Sequence, residues 1–104
     1  MLVAFSVAPL GAGESVTAAV ADAVRIVRES GLPNRTDAMF TTIEGEWDEC
    51  MAVVRQCCDV VAQSSPRVGL VLKADIRPGF SGELDAKLER LEDALGRQGD
   101  DADA

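Results

Sequence analysis

The sequence contains no histidine, and only three of its 104 residues are cysteines. Histidine is the side chain that most often transfers protons near neutral pH and binds metal ions. Its absence excludes Ser/His/Asp catalysis, Cys/His catalysis and histidine-based metal sites. Cys50, Cys57 and Cys58 form an odd set without a Cys-x-x-Cys pair, which is typical of a reducing compartment. We therefore expect a cytoplasmic protein with no metal site and no catalytic residue.

Positive charge and long apolar runs are also scarce. Ten lysines and arginines stand against 18 aspartates and glutamates, which gives a net charge of −8 at pH 7. Such a chain is repelled by phosphate backbones and by anionic lipid surfaces. No run reaches the roughly 18 apolar residues of a membrane span, and the first residues lack the basic stretch of an export signal. We expect neither a nucleic-acid partner nor a membrane partner.

Apolar residues are plentiful enough for a core, since 47% of the chain is hydrophobic and 27% is charged. A chain of this length makes one domain, and small domains are often marginally stable alone, so self-association would help. Residues 1–96 are predicted to form this domain. The acidic segment 97–104 has no large apolar group and is predicted to be a disordered tail.

The hydrophobic pattern predicts the order strand, helix, strand, strand, helix, strand, helix. The first strand, residues 2–8, alternates and places Val3, Phe5 and Val7 on one face. The first helix follows from residue 16 to Gly31, with an apolar stripe of three valines at helical spacing, Val20, Val24 and Val27. This order is that of an α+β ferredoxin-like fold, βαββαβ with an antiparallel four-stranded sheet, plus an added C-terminal helix.

The remaining elements are read from turn and cap residues. Two short strands are predicted within residues 35–44, with a chain reversal near 38–40. Acidic residues at 44–49 begin the second helix, where their negative charge interacts favourably with the helix dipole. A stripe through Cys50, Val53 or Val54, Cys57 and Val61 marks the buried side of that helix. The last strand spans 68–76, and a third helix runs from Ser81 to Gly96 with four leucines on one side.

Helices on a single face of the sheet leave the other face open. The first strand contributes only Ala4, Ser6 and Ala8 to this face, so its floor is shallow. Strand alternation adds more polar or aromatic side chains to it: Phe40, Thr42, Glu44, Lys73 and Asp75. Glu44 and Lys73 are expected to face each other across roughly 10 Å, and a one-residue slip would exchange Thr41 for Thr42. These residues predict either a ligand pocket or an ordinary solvated surface.

Two other patterns favour structural roles. The segment 11–15, Gly-Ala-Gly-Glu-Ser, precedes a helix but lacks the lysine and the spacing of a phosphate-binding loop, so a turn capped by Ser15 suffices. Cys57 and Cys58 diverge by about 100° on a helix and cannot chelate one ion together. We interpret both cysteines as core residues.

Several segments resemble one known family. They are Val-Ala-Pro-Leu-Gly-Ala-Gly at 7–13 followed by Ser15, Val-Arg-Ile-Val-Arg-Glu-Ser-Gly-Leu at 24–32, Met-Phe-Thr-Thr-Ile-Glu-Gly-Glu-Trp-Asp-Glu at 39–49, and Leu-Lys-Ala-Asp-Ile-Arg at 72–77. Together they resemble the YkoF-like thiamine-binding family, with the likeness extending from about residue 3 to residue 95. The most specific element is Thr-x-Ile-Glu-Gly-Glu-Trp, starting at Thr41.

The resemblance implies a ferredoxin-like fold, dimers or tetramers assembled through the sheets, and binding of thiamine or its hydroxymethylpyrimidine moiety without conversion. It assigns ligand roles to Thr41, Glu44, Lys73 and Asp75, and it includes Ser15. Chemistry adds Ser6, Phe40 and Thr42, because thiamine offers a cationic thiazolium and an aminopyrimidine edge. Glu44 or Asp75 would supply the carboxylate, and Thr41, Thr42, Ser6 or Lys73 the polar groups. Phe40 or Trp47 would supply a stacking ring, although Trp47 at a helix start has an equal explanation in packing. Phe40 departs from the family's usual glycine and would narrow the pocket.

Three functions follow as hypotheses. The first is a non-catalytic, homo-oligomeric binder of thiamine or a related pyrimidine, with no other cofactor. The alternative is an oligomeric interaction or regulatory module without a small-molecule ligand. An enzyme is the least favoured, because without histidine it would depend on a carboxylate base or a core cysteine.

Overall fold

A computed structural model describes residues 1–11 and 16–103 of the chain, with side chains through residue 97. Seven elements follow one another in these residues: β1 (Leu2–Leu10), α1 (Val16–Glu29), β2 (Asn34–Thr36), β3 (Thr41–Glu44), α2 (Trp47–Ala62), β4 (Arg67–Asp75) and α3 (Glu83–Asp103). The order confirms the α+β ferredoxin-like fold with an added C-terminal helix. No helix in the described part of the chain is both long and apolar enough to cross a membrane.

The four strands form one antiparallel sheet in the order β2-β3-β1-β4. β1 pairs with β4 over nine residues, from Leu2 opposite Asp75 to Leu10 opposite Arg67. On its other side β1 pairs with β3 over only four residues, from Leu2 opposite Glu44 to Phe5 opposite Thr41. The central strand is therefore paired along its whole length on one side and along less than half of it on the other.

The core lies between the sheet and the two helices α1 and α2. Val3, Phe5 and Val7 alternate with half-buried residues along β1 and are at most 9% exposed, which confirms the predicted face. α2 buries the predicted stripe of apolar residues, Cys50, Val53, Val54, Cys57 and Val61. Glu46 caps α2, because its side chain and that of Glu49 form a reciprocal capping box.

The predicted apolar stripe of α1 was partly wrong. α1 buries Ala19, Ala23 and Val27, whereas Val20 is 36% exposed and Val24 is half-buried. Valine is the more hydrophobic residue, so the sequence pattern favours the valines, but the small alanines let α1 approach α2 and the sheet closely. α1 is therefore rotated about its own axis relative to the prediction, and Val20 and Val24 lie outside the core. Both valines line a cleft beside β1.

The third helix departs from prediction in length. Its backbone continues through Gly96, where we predicted its end, and stays helical to Asp103. The segment 97–103, for which we predicted a disordered tail, continues the backbone of this helix, and Ala104 lies outside the described residues. An isolated glycine lowers helix stability by about 1 kcal/mol and does not by itself end a helix. Leu88, Leu91 and Leu95 are about half exposed, so this helix packs little against the sheet.

The register of the strands contradicts one prediction about the open face. Register places Thr42, Ala4 and Lys73 in one row across the sheet, and Glu44, Leu2 and Asp75 in the next. The expected pairing of Glu44 with Lys73 across β1 was therefore wrong, because the two residues lie in neighbouring rows. Ala4 and Ser6 keep intermediate exposure.

Candidate functional site

The short pairing between β1 and β3 creates a gap at the edge of β1. β3 begins at Thr41, opposite Phe5, so within the described residues no strand pairs with Ser6, Val7 or Ala8 on that side. Backbone N–H and C=O groups on an unpaired strand edge need other partners. The free backbone N–H and C=O groups of β1 at this gap lie in the plane of the sheet. They can therefore form hydrogen bonds with the edge of a planar heteroaromatic ring.

A cavity of about 200 Å³ occupies this gap. β1 lines it from Phe5 to Ala8, α1 contributes Val20 and Val24, and the segment between β2 and β3 closes it with Phe40. We call it the α1–β1 cleft. Small-molecule sites usually measure about 300–1,000 Å³, so a cleft of this size fits one aromatic ring better than two.

The turn from β2 to β3 is held by Asp37. Its Oδ1 accepts hydrogen bonds from the backbone N–H groups of Met39, at 2.8 Å, and Phe40, at 2.9 Å. Its own N–H donates to the Phe40 carbonyl oxygen at 2.9 Å. These backbone bonds, first Phe40 and then Met39, lower the pKa of the Asp37 carboxyl. The turn thus fixes the position of Phe40 and keeps an anionic group at the cleft.

Two hydroxyls also line the cleft. Thr36 and Thr41 are opposite each other in the β2–β3 register, and their Oγ1 atoms are 3.3 Å apart. Thr41 is 8% exposed, so its hydroxyl is largely withdrawn from bulk water. A hydroxyl can both donate and accept, so this pair can adapt to either kind of polar atom on a bound ring.

Glu44, the most conspicuous predicted carboxylate, lies elsewhere and has backbone partners. Its Oε2 accepts a hydrogen bond from the Glu83 N–H at 2.8 Å, and its Oε1 accepts one from the Leu84 N–H at 3.3 Å. The side chain is 7% exposed. It therefore satisfies two of the free N–H groups at the start of α3, as a capping residue from another element does.

Asp75 is likewise paired near the start of α3. Its Oδ2 lies 2.6 Å from Lys87 Nζ, and this hydrogen bond is the main reason that the Asp75 pKa is lowered. Glu83 lies 2.6 Å from an Arg90 guanidinium nitrogen, and that bond lowers the pKa of Glu83. Glu83 thus pairs with Arg90, seven residues further along α3, whereas Lys87, four residues along, pairs with Asp75.

The eight predicted site residues consequently fall into separate groups. Ser6, Phe40 and Thr41 meet in the cleft. Glu44 and Asp75 lie at the first turns of α3, and Thr42 and Lys73 flank Ala4 on the open face. Ser15 lies outside the described residues, as does the predicted cap that it would form. Their ligand roles stay predictions.

Among the cleft residues that sequence reasoning did not assign to a site are Val20, Val24, Thr36 and Asp37. The aspartate had a usable signal, because an aspartate at the start of a short connection often accepts bonds from N–H groups two or three residues later. The sequence signal of the two valines was misleading, because apolar residues at this helical spacing usually face the core.

The cysteines provide no nucleophile near the cleft. Cys57 is fully buried and donates from Sγ to the Ala23 carbonyl oxygen at 3.4 Å. Burial raises the pKa of its thiol to about 11. Such a thiol is protonated near neutral pH and is a poor nucleophile. In the described residues no group of three metal-ligating side chains is arranged to hold an ion.

Comparison with known proteins gives concordant results. A family described as "Thiamine-binding protein" matches residues 3–92. A UPF0045 protein of Mycobacterium bovis is 54% identical over 93 residues, covering 88% of this chain and 91% of the relative. A solved structure from Methanocaldococcus jannaschii shares 30% identity and a TM-score of 0.79, covering 88% of this chain and 94% of that one. A Bacillus cereus domain, DUF77, shares 28% identity and a TM-score of 0.71, covering 79% and 82%.

Proposed function

The chain belongs to the thiamine-binding protein family, and on that premise we propose that it is a cytoplasmic, homo-oligomeric protein that binds thiamine or its hydroxymethylpyrimidine moiety without converting it. We place the pyrimidine ring in the α1–β1 cleft. The observation that supports this most is the coincidence of an unpaired β1 edge, an aromatic side chain and paired hydroxyls around one cavity.

Each group around the cleft suits one part of the ligand. The edge of an aminopyrimidine alternates donors and acceptors, as does the free edge of β1 beyond Phe5. Phe40 is 36% exposed and can stack on the ring face. The Asp37 carboxylate can approach a cationic thiazolium outside the cleft, and the net charge of −8 attracts that cation in a salt-dependent way.

The proposal involves no chemical step. The cleft has no histidine and no reactive thiol, and Asp37 is engaged by backbone N–H groups. A binding role needs only complementarity, and a cavity of this size supplies it for one ring. We therefore propose no cofactor other than the bound ligand itself.

The test is a calorimetric titration of the purified protein with thiamine and, separately, with hydroxymethylpyrimidine. We expect both to bind wild type, and we expect Val24→Phe, which places a ring in the cleft, to lower both affinities at least about tenfold. Lys73→Ala, on the open face, is the discriminating variant. It should bind as wild type does if the ring lies in the cleft, in contrast to the ligand role that the resemblance implies for Lys73.

Other outcomes would redirect the proposal. Loss of binding in Lys73→Ala with normal binding in Val24→Phe would place the ligand on the open face instead. Absence of heat and of any thermal shift with folded wild type would contradict ligand binding. It would favour the alternative, an interaction or regulatory module, for which the exposed apolar residues of β4 are the specific observation.

A further inference from the structure

Two cavities adjoin at the turn that follows β4. One measures about 180 Å³ and the other about 300 Å³. Both are lined by Met1, Gly45, Glu46 and Phe80, so they form one surface groove, which we call the Phe80 groove. Among the described residues, the groove and the α1–β1 cleft have no lining residue in common. A molecule in the groove therefore leaves the cleft accessible.

The smaller cavity carries an exposed apolar cluster. Trp47 at the start of α2, Ile76 just after β4 and Phe80 shortly before α3 all line it. Their side chains are 55%, 59% and 49% exposed. A single exposed apolar side chain is ordinary on a protein surface, but a group of them rimmed by polar residues marks an interaction site. Three parts of the fold thus contribute one large apolar side chain each to a single surface.

The Phe80 ring is held in place by a turn and by a stacked cation. Pro78 and Gly79 form the turn, in which the Phe80 N–H donates to the Arg77 carbonyl oxygen at 3.2 Å. Gly79 has a φ of 82°, a conformation that glycine adopts without strain. The Arg77 guanidinium lies 3.6 Å from the centroid of the ring, which is a cation–π contact. Because the ring is already held, a partner that packs on it loses little entropy in ordering it.

The larger cavity is acidic. Glu44, Glu46 and Glu49 line it, and no lysine or arginine of the described residues does. Glu44 is buried and bonded to N–H groups of α3, whereas Glu46, Glu49 and the intervening Asp48 are exposed. The smaller cavity includes one basic side chain, Arg77, which is already stacked on the aromatic ring. The groove therefore has an apolar end and an acidic end.

We propose that the Phe80 groove docks a basic amphipathic segment of a different protein. The apolar side chains of that segment pack on Trp47, Ile76 and Phe80. Its lysines or arginines face the exposed carboxylates of Glu46 and Glu49. Unlike charges at the rim of an interface guide association and select the partner.

Charge argues against the other occupants of such a surface. A second copy of this chain has the same net charge of −8, and nucleic acids and anionic lipid surfaces are negative as well. An acidic groove repels each of them and attracts a basic segment. This docking goes beyond the proposed ligand binding and does not depend on it, because the two involve separate surfaces.

Peptide titration tests the chemistry of the partner. Trp47 is the only tryptophan in the chain, so its fluorescence reports on the groove directly. The probes are a short amphipathic peptide of leucine and lysine, a version with serine in place of leucine, and a version with glutamate in place of lysine. We expect the leucine–lysine peptide to bind at least about tenfold more tightly than either of the others. Equal binding of the serine version or of the glutamate version would overturn the proposal.

Removal of charge tests whether the carboxylates of the groove are responsible. The double variant Glu46→Gln, Glu49→Gln keeps the side-chain acceptors of the capping box and removes two charges. The matched control, Glu89→Gln with Glu92→Gln, removes two charges from exposed positions on α3. We expect about tenfold weaker peptide binding in the first and less than about twofold in the control. Equal losses would assign the binding to net charge alone and overturn the site.

Removal of the ring tests the apolar end. Phe80→Ala should weaken peptide binding at least about tenfold, whereas Leu91→Ala on α3, where the leucine is 54% exposed, should bind as wild type does. Circular dichroism checks that each variant is folded. A folded Phe80→Ala that binds normally would overturn the docking site.

A dilution series of the peptide-free protein tests for a second copy in the groove. We expect the Trp47 emission to stay the same at all concentrations. An emission that shifts with concentration would assign the groove to a second copy and overturn the proposal. Each of these results leaves the calorimetric test of thiamine binding standing.

Discussion

The α1–β1 cleft and the first turns of α3 contain most of the residues that the sequence singled out, but they differ in one respect. At α3, Glu44 accepts two backbone N–H groups and Asp75 is bonded to Lys87. In the cleft, Phe40 and Thr41 border a cavity. The most conspicuous carboxylate thus has a structural role, whereas the binding surface consists of hydroxyls, a ring and an unpaired strand edge.

Glu44→Ala should have the largest effect of these variants, and it should lower stability rather than ligand binding. Removing this buried carboxylate leaves the Glu83 and Leu84 N–H groups without their acceptor, so we expect a loss of about 1–3 kcal/mol of unfolding free energy. Urea unfolding measures it. Glu44→Gln retains an acceptor oxygen and should lose less. If Glu44→Ala is as stable as wild type but no longer binds thiamine, the carboxylate belongs to the ligand site.

Phe40→Ala should produce the converse effect. The ring is partly exposed, so stability should change little, but loss of stacking should weaken pyrimidine binding about tenfold. Trp47→Ala is the matched aromatic control, because Trp47 is 55% exposed and does not line the cleft. Calorimetry of both variants decides between them. If Trp47→Ala binds the pyrimidine more weakly and Phe40→Ala binds it as wild type does, the ring lies at the start of α2 instead.

Asp37→Asn should have a smaller and ligand-selective effect. An asparagine can still accept the turn hydrogen bonds through Oδ1, so the cleft should keep its shape. Loss of the negative charge should weaken thiamine binding about two- to fivefold and leave hydroxymethylpyrimidine binding unchanged. Equal loss for both ligands would show that the carboxylate does not approach the thiazolium.

Acid should affect the α3 region through its ion pairs. Asp75 and Glu83 have lowered pKa values in the folded protein, from 3.8 and 4.5, so their contribution to stability is present above those values and is lost as pH falls below them. Thermal unfolding between pH 6 and pH 3 should therefore show a falling Tm. Asp75→Asn removes one of these carboxylates, so the decrease in Tm between pH 6 and pH 3 should be slightly smaller. A Tm that rises on acidification would contradict these pairings.

Much of the fold could be predicted from the sequence. Alternation along β1 identified its buried face, and breaks at Gly31 and in the turn before β3 delimited the elements. The phase of α1 could not be predicted, because hydrophobicity ranks Val20 and Val24 above the alanines that pack there. The role of Glu44 could not be predicted either, since it depends on where α3 begins relative to β3, which is a tertiary contact between residues 39 positions apart.

The most direct measurement is a crystal structure of the protein grown with thiamine. The account predicts electron density for the pyrimidine ring between Phe40 and the edge of β1 at Ser6 to Ala8. Density over Ala4, between Thr42 and Lys73, would contradict it.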